Sequence, residues 1–167
     1  MMVHHTITIQ SHSLSDTNHL AGCFAPLLQT GHIFGLTGDL GAGKSAFSRA
    51  VIQARCPDVF DVPSPTFTLV QHYDAPDGLM LWHMDLYRLA LPEDVFALGI
   101  EDAFYDAACL IEWPSKMAGY WPSHAAMIAI TRQEDESRQF DISADASFIS
   151  SLQEALASTT LSFSTSS

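Results

Sequence analysis

Residues 38–45 read Gly-Asp-Leu-Gly-Ala-Gly-Lys-Ser, and no other stretch restricts the folding of the chain so tightly. The run fits the pattern G-x-x-x-x-G-K-[ST], in which each fixed position has a chemical reason. Glycines at 38, 41 and 43 let backbone N–H groups converge on one point with no Cβ in the way, which makes an anion-binding nest. Lys44 can then reach the β- and γ-phosphates of a nucleotide, and the Ser45 hydroxyl can ligate Mg²⁺. The phosphate-binding backbone therefore runs through Asp39, Leu40, Gly41, Ala42, Gly43, Lys44, Ser45 and Ala46. Before it, His32 to Thr37 reads as a short buried strand; after it, Ala46, Phe47, Ala50, Val51 and Ala54 recur at helical spacing. Strand, glycine loop and helix predict an α/β fold with phosphates at a helix N-terminus. The competing reading is a glycine-rich turn that carries Lys44 by coincidence.

The 167 residues suit one domain with a sizeable core. Nineteen acidic and seven basic side chains leave a net charge of −12. Such a surface repels nucleic-acid backbones, whose binding rests on Lys and Arg at phosphates. Any part in RNA chemistry is therefore expected to run through a protein partner, with tRNA met only indirectly. No apolar run approaches the ~18–20 residues that cross a bilayer, and Met1-Met2-Val3-His4-His5 lacks the basic and apolar regions of a signal peptide. A cytoplasmic protein without membrane association is the expectation. Cys23, Cys56 and Cys109 are widely spaced and odd in number, which favours reduced, mostly buried thiols over a disulfide or zinc framework.

Thr6 to Gln10 alternates like a strand with one buried face. Ser13 and Asp16 are spaced as a capping box, and Leu20, Cys23, Phe24, Leu27 and Leu28 form the apolar face of a first helix that Pro26 kinks or ends. Pro57 stops the helix after the glycine loop. Phe67–Tyr73 and Leu79–Met84, joined by the turn residues Asp74–Gly78, predict an antiparallel hairpin. Pro92 opens a short helix to about Leu98, Glu101–Tyr105 gives one more turn, and Ala107–Ile111 is a buried strand ending in Glu112. Pro114 opens another short helix. Ala126–Ile130 is a strand with which Phe140–Ile142 can pair, and Phe148 to Leu156 is an amphipathic helix. These elements predict a single α/β domain over residues 1–158 with one antiparallel hairpin. Residues 159–167, rich in Ser and Thr, are expected to be disordered.

Hydrolysis needs more than a phosphate loop: an acid must hold Mg²⁺ or orient water. Such acids stand at the C-terminal ends of buried strands, and two do so here. Glu112 follows Ala108-Cys109-Leu110-Ile111, and Asp85 follows the strand ending at Met84. Each can instead cap the turn that follows it. Thr66, in Ser64-Pro65-Thr66, can contact a γ-phosphate or Mg²⁺ as switch loops do, or mark an ordinary proline turn. Arg88 is either an internal cation for phosphate or a structural partner of Asp85. Trp113 is either a stacking surface for a base or core. The only asparagine is Asn18, so the N-K-x-D guanine signature is absent and ATP is the nucleotide expected.

In combination these pieces resemble the TsaE (YjeE) family of bacterial ATPases in tRNA threonylcarbamoyladenosine biosynthesis. Gly38–Ser45, Ser64-Pro65-Thr66-Phe67-Thr68-Leu69-Val70, His83-Met84-Asp85-Leu86-Tyr87-Arg88-Leu89, Leu98-Gly99-Ile100-Glu101-Asp102 and Leu110-Ile111-Glu112-Trp113-Pro114 occur in the family's order, over roughly residues 14–131. The resemblance implies a single P-loop NTPase-like domain, with helices around a mainly parallel sheet and one antiparallel hairpin. It also implies binding of ATP/ADP and Mg²⁺, slow hydrolysis alone, and work beside the TsaD–TsaB pair, which transfers the threonylcarbamoyl group. It makes Lys44 the phosphate lysine, Ser45 the Mg²⁺ hydroxyl and Thr66 the switch-like threonine. Asp85 and Glu112 would be the acids near Mg²⁺ and the attacking water, with Trp113 beside the nucleotide. The chain departs from the family at Ser115, where a further acid is common, at Ala103-Phe104, where Tyr-Phe is common, and at Ser45, where Thr is commoner. A small-molecule kinase would need an arginine-rich lid, for which only Arg132 and Arg138 are available late in the chain. A nucleotide switch without useful turnover would share the same loop.

Overall fold

Two kinds of strand build the sheet, and burial separates them. The computed structural model describes residues 3–166. Met1 and Met2 of the stretch read as lacking a signal peptide, and Ser167 of the expected tail, lie outside the described residues. In chain order the elements are β1 (His5–Ser11), α1 (Leu14–Phe24), β2 (Ile33–Thr37), α2 (Lys44–Arg55), β3 (Val70–Asp74), β4 (Met80–Asp85), α3 (Ile100–Asp106), β5 (Ala107–Glu112), β6 (Ala126–Arg132), β7 (Arg138–Ala144), α4 (Ala146–Ala157) and β8 (Phe163–Ser166). Short 3₁₀ helices cover Ala25–Leu27, Pro92–Leu98 and Pro114–Tyr120. The strands form one eight-stranded sheet in the order β3-β4-β5-β2-β6-β7-β1-β8.

The strands β4, β5, β2 and β6 run parallel. Every residue of β5 is buried, as is nearly all of β4 and β2, because helical layers cover both faces there. On one face Leu20 and Phe24 of α1, Phe47 and Val51 of α2, and Phe148 and Leu152 of α4 pack on Phe34, Leu36 and Leu110. On the other, Val95, Ile100, Ala103 and Met117 pack on Trp82, Met84, Cys109 and Ile111. By contrast β1, β6 and β7 alternate in burial, and their pairings β6·β7, β7·β1 and β1·β8 are antiparallel. Their outward side chains meet as polar pairs across β1 and β7: Thr6 with Ser143 at 2.7 Å, Thr8 with Asp141 at 2.6 Å, and Gln10 with Gln139 at 3.1 Å.

The sheet is therefore mixed, which corrects the expectation of a mainly parallel one: with the β3·β4 hairpin, four of its seven pairings are antiparallel. The alternation that predicts β1 is itself the mark of a half-buried antiparallel strand. The expectation of a disordered tail is also corrected. Phe163–Ser166 pairs with Thr6–Ile9, Leu161 is buried, and the Gln10 N–H donates to the Ser162 carbonyl at 3.0 Å. An edge strand is held by backbone partners that the outer side of β1 supplies, so its own polar composition does not prevent it. The strand expected from Phe67 begins only at Val70, because the chain turns over 65–68 and the Leu69 N–H donates back to the Pro65 carbonyl at 2.7 Å.

At α1 the Ser13 cap forms as expected, its hydroxyl accepting from the Asp16 N–H at 3.1 Å, but the reciprocal half of the capping box does not: the Asp16 carboxylate accepts from the His12 N–H at 2.8 Å rather than from that of Ser13. The helix ends at Phe24 and tightens into the 3₁₀ turn that contains Pro26. The three cysteines are free, with Cys56 and Cys109 buried. Burial pushes the Cys109 thiol up to about 12.

Phe24 ties this half of the core together. Its ring meets Phe34 of β2, Phe47 of α2 and Phe148 of α4 edge-on, with centroids 4.8, 5.4 and 5.3 Å away. Phe24→Ala is expected to lower the unfolding free energy by about 3–5 kcal/mol, read as a lower urea midpoint at constant m-value. A loss below about 1 kcal/mol would show that the ring does not join the layers.

Candidate functional site

The glycine loop leaves β2 at Thr37 and enters α2 at Lys44. Two of its glycines are required by geometry. At Gly38 a Cβ would stand 2.5 Å from the Ile130 carbonyl oxygen of β6. At Gly43, immediately before α2, φ is 114°, a conformation that side chains disfavour. The loop thus delivers the unpaired amides of the α2 N-terminus to the ends of β2, β4 and β5, where an anion is favoured.

Lys44 is buried at 5% exposure. Its ammonium donates to the carbonyls of Gly38 at 2.6 Å and Asp39 at 2.8 Å, and it stands 4.6 Å from the centre of the Trp113 ring. Burial pushes the Lys44 ammonium below the ordinary lysine value, and the carboxylates of Glu112, Asp85 and Asp39 pull it partly back. Glu112 ends β5 at 1% exposure. Its Oε1 accepts from the Ser45 hydroxyl at 2.8 Å, and its Oε2 lies 2.8 Å from Nε2 of His83. Asp85 ends β4 beside it, since the two residues are paired across the parallel strands. One Asp85 oxygen accepts from the Tyr87 N–H at 3.1 Å, and the other stands 3.5 Å from the Thr66 hydroxyl. Asp85 therefore both caps the following turn and faces the loop.

The structure thus brings Lys44, Ser45, Asp85, Glu112, Thr66 and Trp113 to one place. Arg88 does not join them: its guanidinium lies over the Phe67 ring at 4.6 Å, and it forms no ion pair with Asp85. Arg138 instead approaches the glycine loop, where it lines a pocket of about 200 Å³ with Gly43, Ala46, His12 and Phe140. Trp113 lies outside that pocket, on the Lys44 side of the loop, and its ring meets Tyr87 at 4.9 Å. Arg132 is engaged by Glu136.

A hydroxyl and two carboxylates are the hard oxygen donors that Mg²⁺ takes alongside phosphate oxygens and water. Among the described residues no cluster of three His, Cys, Asp or Glu could hold a metal by itself. The residues present therefore fit Mg²⁺ with a nucleotide. No helix among the described residues is long and apolar enough to cross a membrane.

The sequence profile of a family described as "Threonylcarbamoyl adenosine biosynthesis protein TsaE" matches residues 11–140. The chain belongs to the TsaE family. Relatives named "tRNA threonylcarbamoyladenosine biosynthesis protein TsaE" include one from Rickettsia bellii, 35% identical over 130 residues, covering 78% of this chain and 90% of the relative. One from Treponema pallidum is 33% identical over 133 residues, covering 79% of this chain and 96% of the relative. A crystal structure of Bacillus subtilis YdiB superposes with a TM-score of 0.69 at 26% identity, covering 91% of this chain and 94% of that one. Every residue named at the site falls inside the span matched to TsaE.

Sequence reasoning missed His83 at this site and named Arg138 only as one of two arginines available to a kinase lid. His83 sits in the apolar run Leu81-Trp82-His83-Met84, two residues before Asp85, and period-two alternation alone would place both on one face. Arg138 comes to the loop only through the pairing of β7 with β6, for which no local signal exists. Trp113 offers a readout of the site. Adding ADP with Mg²⁺ is expected to draw the Lys44 ammonium off the ring and change Trp113 emission. The change should vanish in Trp113→Phe, which retains Trp82 and Trp121; an equal change in that variant would place the reporter elsewhere.

Proposed function

We propose that the chain is the ATP-binding and ATP-hydrolysing component of tRNA threonylcarbamoyladenosine modification, working in the cytoplasm with the TsaD–TsaB pair to support repeated turnover. The observation that carries this reading is the contact between Ser45 and Glu112. A hydroxyl at the first turn of α2 and a buried carboxylate at the end of β5 meet at 2.8 Å beside Lys44, where a P-loop enzyme needs its metal ligands.

In this reading the α2 amides and the loop backbone from Asp39 to Ala46 cradle the phosphates, and Lys44 sets its charge against the β- and γ-oxygens. Ser45, Glu112 and Asp85 would hold Mg²⁺, with Ser45 and Glu112 already placed 2.8 Å apart. Mg²⁺ held there would supply positive charge against the phosphates. Asp85, pinned by the Tyr87 N–H, and Glu112 are the acids available to orient water. Thr66 approaches from the 57–69 loop and can register the γ-phosphate. The pocket beside Gly43 and Ala46 receives the nucleoside, with Arg138 at its wall. The net charge of −12 suits a component that reaches tRNA through its partners. A kinase lid gains little support, because Arg132 is already engaged by Glu136.

Steady-state ATP hydrolysis tests the reading, measured alone and with TsaD–TsaB from the same organism. A slow basal rate that rises with the pair and is lost in Lys44→Ala is expected. Glu112→Ala should retain nucleotide binding and lose turnover by about 10²-fold or more. If that variant hydrolyses normally, Glu112 is not a catalytic group. If it stops hydrolysing yet still supports tRNA modification, the nucleotide is a switch and its turnover is dispensable.

A further inference from the structure

The geometry points to His83 as the positioning residue of the site: it fixes the Glu112 carboxylate so that one oxygen, and only one, is presented to Ser45 and the metal. This inference rests on the ATPase reading above and adds a residue to it.

His83 is fully buried in the middle of β4. Leu81, His83 and Asp85 share the face packed under α2, while Trp82 and Met84 face the other layer. A polar ring in this position cannot be explained as apolar filler, since burying an unpaired polar group is unfavourable. Its Nε2 finds Glu112 Oε2 at 2.8 Å, and its Nδ1 has no hydrogen-bond partner. Among the described residues Glu112 is thus the only side chain that hydrogen-bonds the ring. Conversely, Glu112 has two polar side-chain partners, one for each oxygen: His83 behind it and Ser45 in front.

A carboxylate on a two-carbon stem rotates freely unless an oxygen is held. The imidazole holds Oε2 from inside the core, where the strands on either side restrict its own rotation. Oε1 is then left to face α2. Metal-bound carboxylates are commonly oriented by such hydrogen bonds from behind. Without the ring, Oε2 would lose its buried donor and turn toward Lys44 or the solvent side, taking Oε1 off the metal position.

Two amides separate this role from simple core filling. In Gln the amide nitrogen stands as many bonds from Cα as His Nε2, so His83→Gln can still donate to Glu112. In Asn the amide stands at the depth of Nδ1, so His83→Asn cannot reach. Both are uncharged and polar. The readout is binding of a fluorescent ADP analogue, titrated with and without Mg²⁺, together with a thermal melt of each variant. The expected result is that His83→Asn shifts the Mg²⁺ concentration for half-maximal enhancement upward by about 10–100-fold, with Mg²⁺-free binding unchanged. His83→Gln should keep most of the Mg²⁺ response. In a Glu112→Ala background, His83→Asn should add nothing further.

Equal Mg²⁺ responses in the Asn and Gln variants would overturn the inference, as would a parallel loss of Mg²⁺-free binding, which marks a merely structural role. If the unaltered protein shows no Mg²⁺-dependent binding of the analogue, the ATPase reading itself fails and this inference falls with it. A normal Mg²⁺ response in the unaltered protein that persists in His83→Asn removes the positioning role alone.

Discussion

A carboxylate at 1% exposure is the constraint around which the functional end of this molecule is arranged. Glu112 lies where water cannot solvate it, so the protein must supply every partner, and an unpaired buried charge would be strongly destabilising. Ser45 and His83 provide direct hydrogen bonds, and the Lys44 ammonium lies near enough to feel the charge. These partners come from α2 and β4, on either side of the strand that carries Glu112. The register of β4 against β5, which sets Asp85 opposite Glu112, follows from the same requirement. A slip of that register would move His83 off its partner and leave two polar groups stranded in the core.

The two halves of the sheet divide the work. The parallel strands β4, β5 and β2 are covered on both faces, so their ends are rigid points on which polar groups of a site can be mounted. The antiparallel half carries Phe140, Ile7 and Ile9 on its inner face against α1 and α4 and contributes to the site through β6, β7 and the end of β1 at Ser11. There Ile130 sets the close approach at Gly38, and Arg138 reaches the pocket wall. Membership of the TsaE family accords with this division, since the matched span runs from residue 11 through the near end of β7.

The glycine loop, α2 and the acids at two strand ends were legible because each rests on a local rule: motif spacing, helical periodicity, or a carboxylate closing an apolar run. The Ser13 cap of α1 belongs with them. What escaped depends on pairings across long separations. Phe163–Ser166 looks like a polar tail until the outer edge of β1 offers it hydrogen bonds. His83 reads as an interruption in an apolar strand until Glu112 arrives from β5. The late start of β3 reflects a turn closed between Pro65 and Leu69, which composition does not announce. Arg88, near Asp85 in sequence, turns to Phe67 instead, because its guanidinium finds an aromatic face on the 57–69 loop.

The polar pairs that line the outer face of β1 and β7 also bear on how the chain reaches this fold. Thr6, Thr8 and Gln10 meet Ser143, Asp141 and Gln139, although 129 or more residues separate the partners along the chain. A mispairing by one residue would send Ile7 and Ile9 into solvent and threonines into the core, and it would break these side-chain hydrogen bonds as well. Two penalties of different chemistry then reject the same mistake. The register of β1 against β7 is thus specified twice, by apolar burial on one face and by polar pairing on the other.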